Sequence, residues 1–292
     1  MDLSVVILSF NTQKLLEDCL NSIFQNTEGI EFEIIVVDNG SIDGSVEMVK
    51  ELIKPQTPNL KLIENKINLG FAKGNNQGLL QAQGKYILLL NSDTIVKNGA
   101  LKKMVEFMDE HLQAGVVGPK LLNPEGTPQA SAGSFPSLPV IGVMLFKEHF
   151  GGSQLVRTSY QTTKEVDWVM GAAMMVKREI FPKTGLFDEN IFMYYDEVEW
   201  CYRIKKAGFK IYFYPEAEIV HLWQRSSQTG RKGPILANYQ GLVYFYKKHK
   251  STLDLFLLRI LLKLKAGVAL IIGHLTNNSY LKETYAEAFK LA

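Results

Sequence analysis

The chain has 292 residues, 46% of them apolar, with 32 basic against 30 acidic side chains and a formal net charge of +2. That is enough apolar material for a sizeable globular core, and too little net charge for the field that nucleic-acid binding needs. The two cysteines, Cys19 and Cys201, lie far apart and offer neither a disulfide framework nor metal-ligand spacing, so a reducing, cytoplasmic setting is expected.

The opening stretch "MDLSVVILSFN" has an acidic second residue and an apolar run too short for a signal peptide or a membrane span, and it reads as a first strand. Apolar runs at 3–8, 32–37, 60–63, 86–90 and 116–117 then alternate with helical spacing. Between the first two, Leu15, Leu16, Cys19, Leu20, Ile23 and Phe24 recur at helical intervals behind Thr12, the expected N-cap. Runs this continuous in βαβα order predict an α/β fold, a mostly parallel sheet covered by helices on both faces. Ligands of such sheets bind outside the carboxyl ends of the strands.

Residues 123–165, rich in Pro, Gly, Ser and Thr, are expected to form a long and partly mobile connection. Order resumes with a strand in "VDWVMGAAMMVKREIF", a helix beginning near Asp196 and a strand over 210–214. From about Leu253 the chain is helical and very apolar. Arg259, Lys263 and Lys265 interrupt it, so the expectation is an amphipathic helix lying on a membrane surface, packed on the body or joining a homodimer, and not a membrane span.

The strand ends are where chemistry concentrates. Ser9 and Asn11 close the first strand, Asp38, Asn39 and Ser41 the second, and Asn91, Ser92 and Asp93 the fourth. After the third comes "NLGFAKGNNQG", with Gly70, Lys73, Asn75 and Asn76 at a helix start suited to phosphate. A carboxylate such as Asp38 accepts from a base N–H or binds ribose. Asp93 either caps the next helix or ligates a hard cation, and His221, after an apolar strand end, is a surface, core or ligand residue. "MYYDEVEWCYR" sets Asp196, Glu197 and Glu199 at a helix start. The helix dipole accounts for acids there, yet the surrounding aromatics also suit a sugar and a general base of raised proton affinity.

Taken in order, "VVILSFN", "VVDNGSIDGS", "NLGFAKGNNQG", "LLLNSDTIV", "WVMGAAMMVKRE", "GLFDENIFMYYDEVEWCYRIKKAGFKI" and "HLW" resemble the family 2 inverting glycosyltransferases, most closely the rhamnosyltransferase-like branch. The resemblance covers about residues 3 to 225. It implies a GT-A fold, Rossmann-like and of the spore-coat-polysaccharide-synthesis type, over 1–250, with a nucleotide-binding half over about 1–120 and an acceptor-binding half over about 121–250. Residues 251–292 follow as a C-terminal helical extension. The family's DxD metal site falls at the fourth strand, where Asn91 replaces the first acid and leaves Asp93.

By the same resemblance, Ser9, Asn11, Asp38, Asn39 and Ser41 hold the nucleoside. Gly70, Lys73, Asn75 and Asn76 lie along the nucleotide and diphosphate with Asn91 and Ser92. Asp93 and His221 bind Mg²⁺ or Mn²⁺, and Trp168, Gly171 and Ala172 border the sugar and acceptor pocket. Glu197 takes the base position, with its neighbour Asp196 as the alternative because the order "DE" is swapped. The implied donor is a nucleoside diphosphate sugar, dTDP-rhamnose or a UDP-hexose, and the implied acceptor a glycan or lipid-linked hydroxyl. Two other readings stand beside it: a sugar nucleotidyltransferase, whose early glycine-rich basic signature is absent, and an inactive nucleotide-sugar or carbohydrate-binding module.

Overall fold

The computed structural model of the chain describes residues 1–53, 59–150, 157–222 and 232–292. Its first half is the expected alternation: β1 (Leu3–Ser9), α1 (Gln13–Asn26), β2 (Phe32–Asp38), α2 (Ser45–Leu52), β3 (Leu60–Glu64), α3 (Phe71–Gln81), β4 (Tyr86–Asn91), a short β5 (Thr94–Val96), α4 (Ala100–Glu110) and β6 (Ala114–Leu122). The strands are continuously apolar because both faces are covered. Leu3, Val5 and Ile7 join one core with Leu16 and Leu20 of α1 and Met104 of α4; Val6, Ile35 and Leu89 join another with Ala72 and Leu79 of α3.

Close packing of α3 on β1 explains two glycines. A Cβ on Gly78 would lie 2.3 Å from Val6 Cγ1, and one on Gly74 2.5 Å from Leu8 Cδ1. These glycines let the helix axis approach the sheet.

The stretch 123–165, expected to be a long and partly mobile connection, holds regular elements. It carries β7 (Pro128–Gln129), β8 (Ala132–Gly133), α5 (Leu138–Phe150), β9 (Arg157–Thr158) and β10 (Lys164–Glu165). The next run is two strands, β11 (Trp168–Val169) and β12 (Ala173–Lys177), parted by a turn, before α6 (Phe181–Thr184) and α7 (Asp196–Lys206). Then β13 (Lys210–His221) runs well past Tyr214, where the strand was expected to stop. Pro215 cannot donate to a ladder, and the register against β6 shifts between Tyr214 and Glu218, so the proline sits in an irregularity and pairing resumes beyond it.

In the main sheet the order is β10-β13-β6-β12-β4-β1-β2-β3, with β5 paired to β13 and β7 to β6. β1, β2, β3 and β4 pair in parallel, and β12 enters antiparallel between β4 and β6. Pairing Ser9 with Asp38 and Leu8 with Asn91 brings three strand ends level at one edge. β8, β9 and β11 form a small antiparallel sheet.

Three helices complete the described chain: α8 (Lys232–His249), α9 (Thr252–Leu275) and α10 (Ser279–Leu291). Their buried faces share a core with α5 and α7 that includes Val198, Tyr239, Leu242, Leu258 and Leu262. Among the described residues no helix is long and apolar enough to cross a membrane.

Candidate active site

At the level edge of the sheet, Asp38 is buried, and its Oδ1 accepts from the backbone N–H of Gly40 (3.0 Å) and Ser41 (2.9 Å). Its Oδ2, equally buried, has no hydrogen-bond partner among the described residues. An unpaired buried carboxylate oxygen is costly unless a ligand donor completes it. Asn11, in the left-handed region at φ 53°, ties this loop to β1: its N–H donates to Ser41 Oγ (2.8 Å) and its Oδ1 accepts from the Ile42 N–H (2.9 Å). Thr12 is the N-cap residue of α1, as expected, but its side chain makes no capping hydrogen bond; its hydroxyl bridges Ser9 (2.9 Å) and donates to Ser92 (2.9 Å), linking the ends of β1 and β4.

The carboxamides of the next loop hold the loops themselves. Asn39 donates to Asn68 and the Gly70 carbonyl and accepts from Asn65 and the Leu69 N–H. Asn75 donates to the Phe71 carbonyl, while Asn76 clasps the backbone of Phe187 from both of its amide atoms and donates to Glu189. Gly70, at φ 85°, sits where a Cβ would lie 2.7 Å from the Phe192 ring, and the Phe71 N–H donates to the Phe192 carbonyl (2.9 Å). The start of α3 is thereby fastened to the segment leading into α7. Lys73 is exposed on its first turn.

Asp93 and His221 meet because β5 pairs with β13, with His221 opposite Thr94. His221 Nε2 lies 3.4 Å from Asp93 Oδ1, both side chains are buried, and Asp93 Oδ1 has no hydrogen-bond partner among the described residues. Gln129 sets the histidine. Its Nε2 donates to Asn123 Oδ1 (2.9 Å) and the His221 carbonyl (3.3 Å), which leaves Oε1 facing His221 Nδ1 at 2.7 Å. In the neutral ring Nδ1 therefore carries the proton, and Nε2 turns its lone pair toward Asp93. A buried carboxylate oxygen and an imidazole nitrogen fit a Mn²⁺ or Mg²⁺ ion whose other ligands come from diphosphate and water. Among the described residues no group of three His, Cys, Asp or Glu side chains could hold a metal without such help.

The acids at the head of α7 divide by environment. Tyr194 and Tyr195 both adopt left-handed backbone, at φ 65° and 67°, a strained pair braced by α8, where a Cβ on Gly241 would be 3.0 Å from Tyr195 Cβ. Asp196 is buried, its Oδ2 has no hydrogen-bond partner among the described residues, and burial, reinforced by the neighbouring Glu197 charge, pushes its carboxyl well above the usual range. Glu197 is half-buried, and its Cβ lies 3.6 Å from where a Cβ on Gly171 would be, so Gly171 keeps the space beside it open. Burial pushes the Arg157 guanidinium down to about 10, against the Glu197 charge, and it stays cationic at neutral pH.

Glu199 serves packing. Fully buried, it is forked by Arg203 (2.7 and 2.9 Å) and contacted by Lys248 (2.8 Å) and His249 (2.9 Å), which locks α7 to α8. Trp168 donates to the Ser134 carbonyl (2.9 Å), and the Ala172 carbonyl accepts from the Asn91 N–H (2.9 Å), joining the pocket segment to the end of β4. Ser92 is buried beside Asp93. Trp223, the last residue of "HLW", lies outside the described residues.

Gln129 and Arg157 escape a reading of the sequence, since their approach depends on short strands inside a stretch that reads as a connection. The Glu199–Arg203 pair did carry a signal, the four-residue helical spacing.

Residues 4–184 match the family model "Glycosyl transferase family 2". The chain is 27% identical over 246 residues to the N-acetylglucosaminyl-diphospho-decaprenol L-rhamnosyltransferase of Mycobacterium tuberculosis, covering 78% of each protein. It is 25% identical over 225 residues to the low-salt glycan biosynthesis hexosyltransferase Agl10 of Haloferax volcanii, covering 72% of this chain and 64% of that one. The mannosyltransferase PcManGT of Pyrobaculum calidifontis, solved with GDP-Man and Mn²⁺, superposes with a TM-score of 0.60 at 18% identity, over 98% of this chain and 73% of that one; this likeness concerns the fold. The chain belongs to the family 2 glycosyltransferases and has the GT-A fold.

Proposed function

We propose that the protein is an inverting glycosyltransferase that moves a sugar from a nucleoside diphosphate sugar, dTDP-rhamnose or a UDP-hexose, to a hydroxyl of a glycan or lipid-linked acceptor in surface polysaccharide or cell-wall synthesis. The observation that carries the reading is the convergence of Asp38, Asp93 and His221 on one sheet edge, with a buried carboxylate oxygen on each aspartate that has no hydrogen-bond partner among the described residues. Asp38 Oδ2 is the acceptor for a pyrimidine N–H. Asn11, Asn39 and Ser41 shape the nucleoside loop around it, Ser9 and Ser92 hold the strand ends, and Gly70, Lys73, Asn75, Asn76 and Asn91 build the diphosphate side.

Asp93 Oδ1 and His221 Nε2 hold a divalent cation, which when bound neutralises charge on the departing diphosphate. Support comes from the orphaned carboxylate oxygen and from the Mn²⁺ in the mannosyltransferase of the same fold. Glu197 takes the proton of the acceptor hydroxyl. The oxygen forms a bond to the anomeric carbon on the face opposite the diphosphate, the bond to the phosphate oxygen breaks, and nucleoside diphosphate leaves with the electron pair. One displacement inverts the configuration. Asp196 is buried, whereas half-buried Glu197 is open to an acceptor, so Glu197 is the base of the two. Trp168, Gly171 and Ala172 border the sugar and acceptor.

The mycobacterial relative, an N-acetylglucosaminyl-diphospho-decaprenol L-rhamnosyltransferase, supports a lipid-linked acceptor. Thermal melts with dTDP-rhamnose, UDP-hexoses and GDP-mannose, each with and without Mn²⁺, test the reading, because a ligand bound only by the folded state raises its stability by mass action. One donor should stabilise the protein strongly with Mn²⁺ and weakly without. No shift from any of them would contradict the reading.

A further inference from the structure

The outer face of α9 is apolar along most of its length, with the exposed His274 near its end. Phe256 is 60% exposed, Leu264 56% and Ile271 61%, and Leu253, Ile260 and Leu275 continue the same face. At 100° per residue these positions lie opposite Leu258, Leu262, Ala266 and Gly273, which are buried against the body. The helix thus has two apolar faces, one used and one bare.

With 24 residues at about 1.5 Å each, α9 is roughly 36 Å long, and the bare face extends along nearly all of it. An uncovered apolar strip of this length is unfavourable in water and marks a contact surface.

Charge decides what covers it. Arg259 and Lys263 border the bare face on one side and Lys265 on the other. Asp254, which caps the helix through Ser251, is the one acid in α9. Two copies packed antiparallel through this face would set the Arg259 and Lys263 flank of one against the same flank of the other, with no carboxylate of α9 on that flank. An anionic lipid surface instead sets lipid phosphates against the Arg259 and Lys263 flank and accepts the apolar ridge.

We infer that α9 is an interfacial helix that lies flat on an anionic membrane, its outer ridge in the headgroup and acyl boundary and its cations against lipid phosphates. The ridge leaves Asp93, His221 and Glu197 untouched, so loss of vesicle binding and loss of transfer are separable outcomes. Deleting the helix is the wrong test, because Leu258 and Leu262 belong to the core shared with α7.

The experiment is co-sedimentation of the full chain with phosphatidylglycerol–phosphatidylcholine vesicles and with pure phosphatidylcholine, alongside sedimentation velocity without lipid. The protein should bind anionic vesicles and remain monomeric without them. Leu264→Glu and Ile271→Glu, both at exposed positions and checked for native circular dichroism, should each lower partitioning by about tenfold. Arg259→Glu should lower it by at least about fivefold, the share of one cation near the surface. Equal partitioning of wild type and Leu264→Glu, equal binding to neutral vesicles, or a lipid-free dimer that Leu264→Glu converts to monomer would overturn the inference.

Discussion

His221 Nε2 stands 3.4 Å from Asp93 Oδ1, two side chains from opposite halves of the chain joined by the short ladder between β5 and β13. If this pair is the cation site, its two flanks are unequal. Asp93→Ala should abolish Mn²⁺ binding measured by electron paramagnetic resonance in the presence of nucleoside diphosphate, and transfer should fall with it. Asn91→Ala, which removes no charge, should lower Mn²⁺ affinity by less than about tenfold. Equal losses at both positions would move the ligand role toward Asn91.

Gln129 holds His221 in the tautomer that leaves Nε2 toward Asp93. Groups placed behind a metal-bound histidine commonly govern affinity by about 10 to 100-fold. Gln129→Leu should weaken Mn²⁺ binding by that margin while Gln129→Glu retains it, because a carboxylate also accepts from Nδ1–H. A structural role alone would lower the melting temperature of both variants and leave Mn²⁺ affinity intact.

Asp196 is a buried carboxyl whose proton affinity is higher folded than unfolded. Such a group contributes stability below its unfolded value, about 3.9, and loses it as pH rises through the higher folded value. Asp196→Asn should therefore gain on wild type as pH rises from about 4 to 8, read as the difference in melting temperature. A difference that stays flat or shrinks across that range would contradict this.

Glu199 behaves in the opposite sense. Burial works to raise its proton affinity, but Arg203, Lys248 and His249 outweigh burial and hold the carboxyl below its ordinary range. Its contribution is present above the unfolded value and lost as pH falls through the lower folded one. Glu199→Gln should cost about 3 kcal/mol in urea denaturation at pH 7, the low end for a broken buried pair, since Arg203 and Lys248 keep partial access to water. A loss below about 1 kcal/mol would mean the cluster is mutually replaceable.

The parallel half of the sheet was legible because β1, β2 and β4 are buried on both faces, which writes an unbroken apolar run into the sequence. The polar residues at their ends were legible as a set because parallel strands finish on the same edge. Strands of two residues, such as β7 and β11, have no periodicity to read, so residues 123–165 looked like a loop and Gln129 passed unseen. Pro215 misplaced the end of β13, since a proline reads as a stop where an irregular register absorbs it. Asn39, Asn75 and Asn76 were read from residue type as ligand groups, and their dense bonding to neighbouring loops became visible only in three dimensions.

The most direct test of the account is the Glu197→Gln variant, assayed for donor binding by calorimetry and for transfer with the donor that the thermal screen selects. Donor affinity should stay within about threefold of wild type while transfer falls by about 10² to 10⁴, the share of a general base. Transfer at near wild-type rate with intact binding would remove Glu197 from that role and contradict the mechanism.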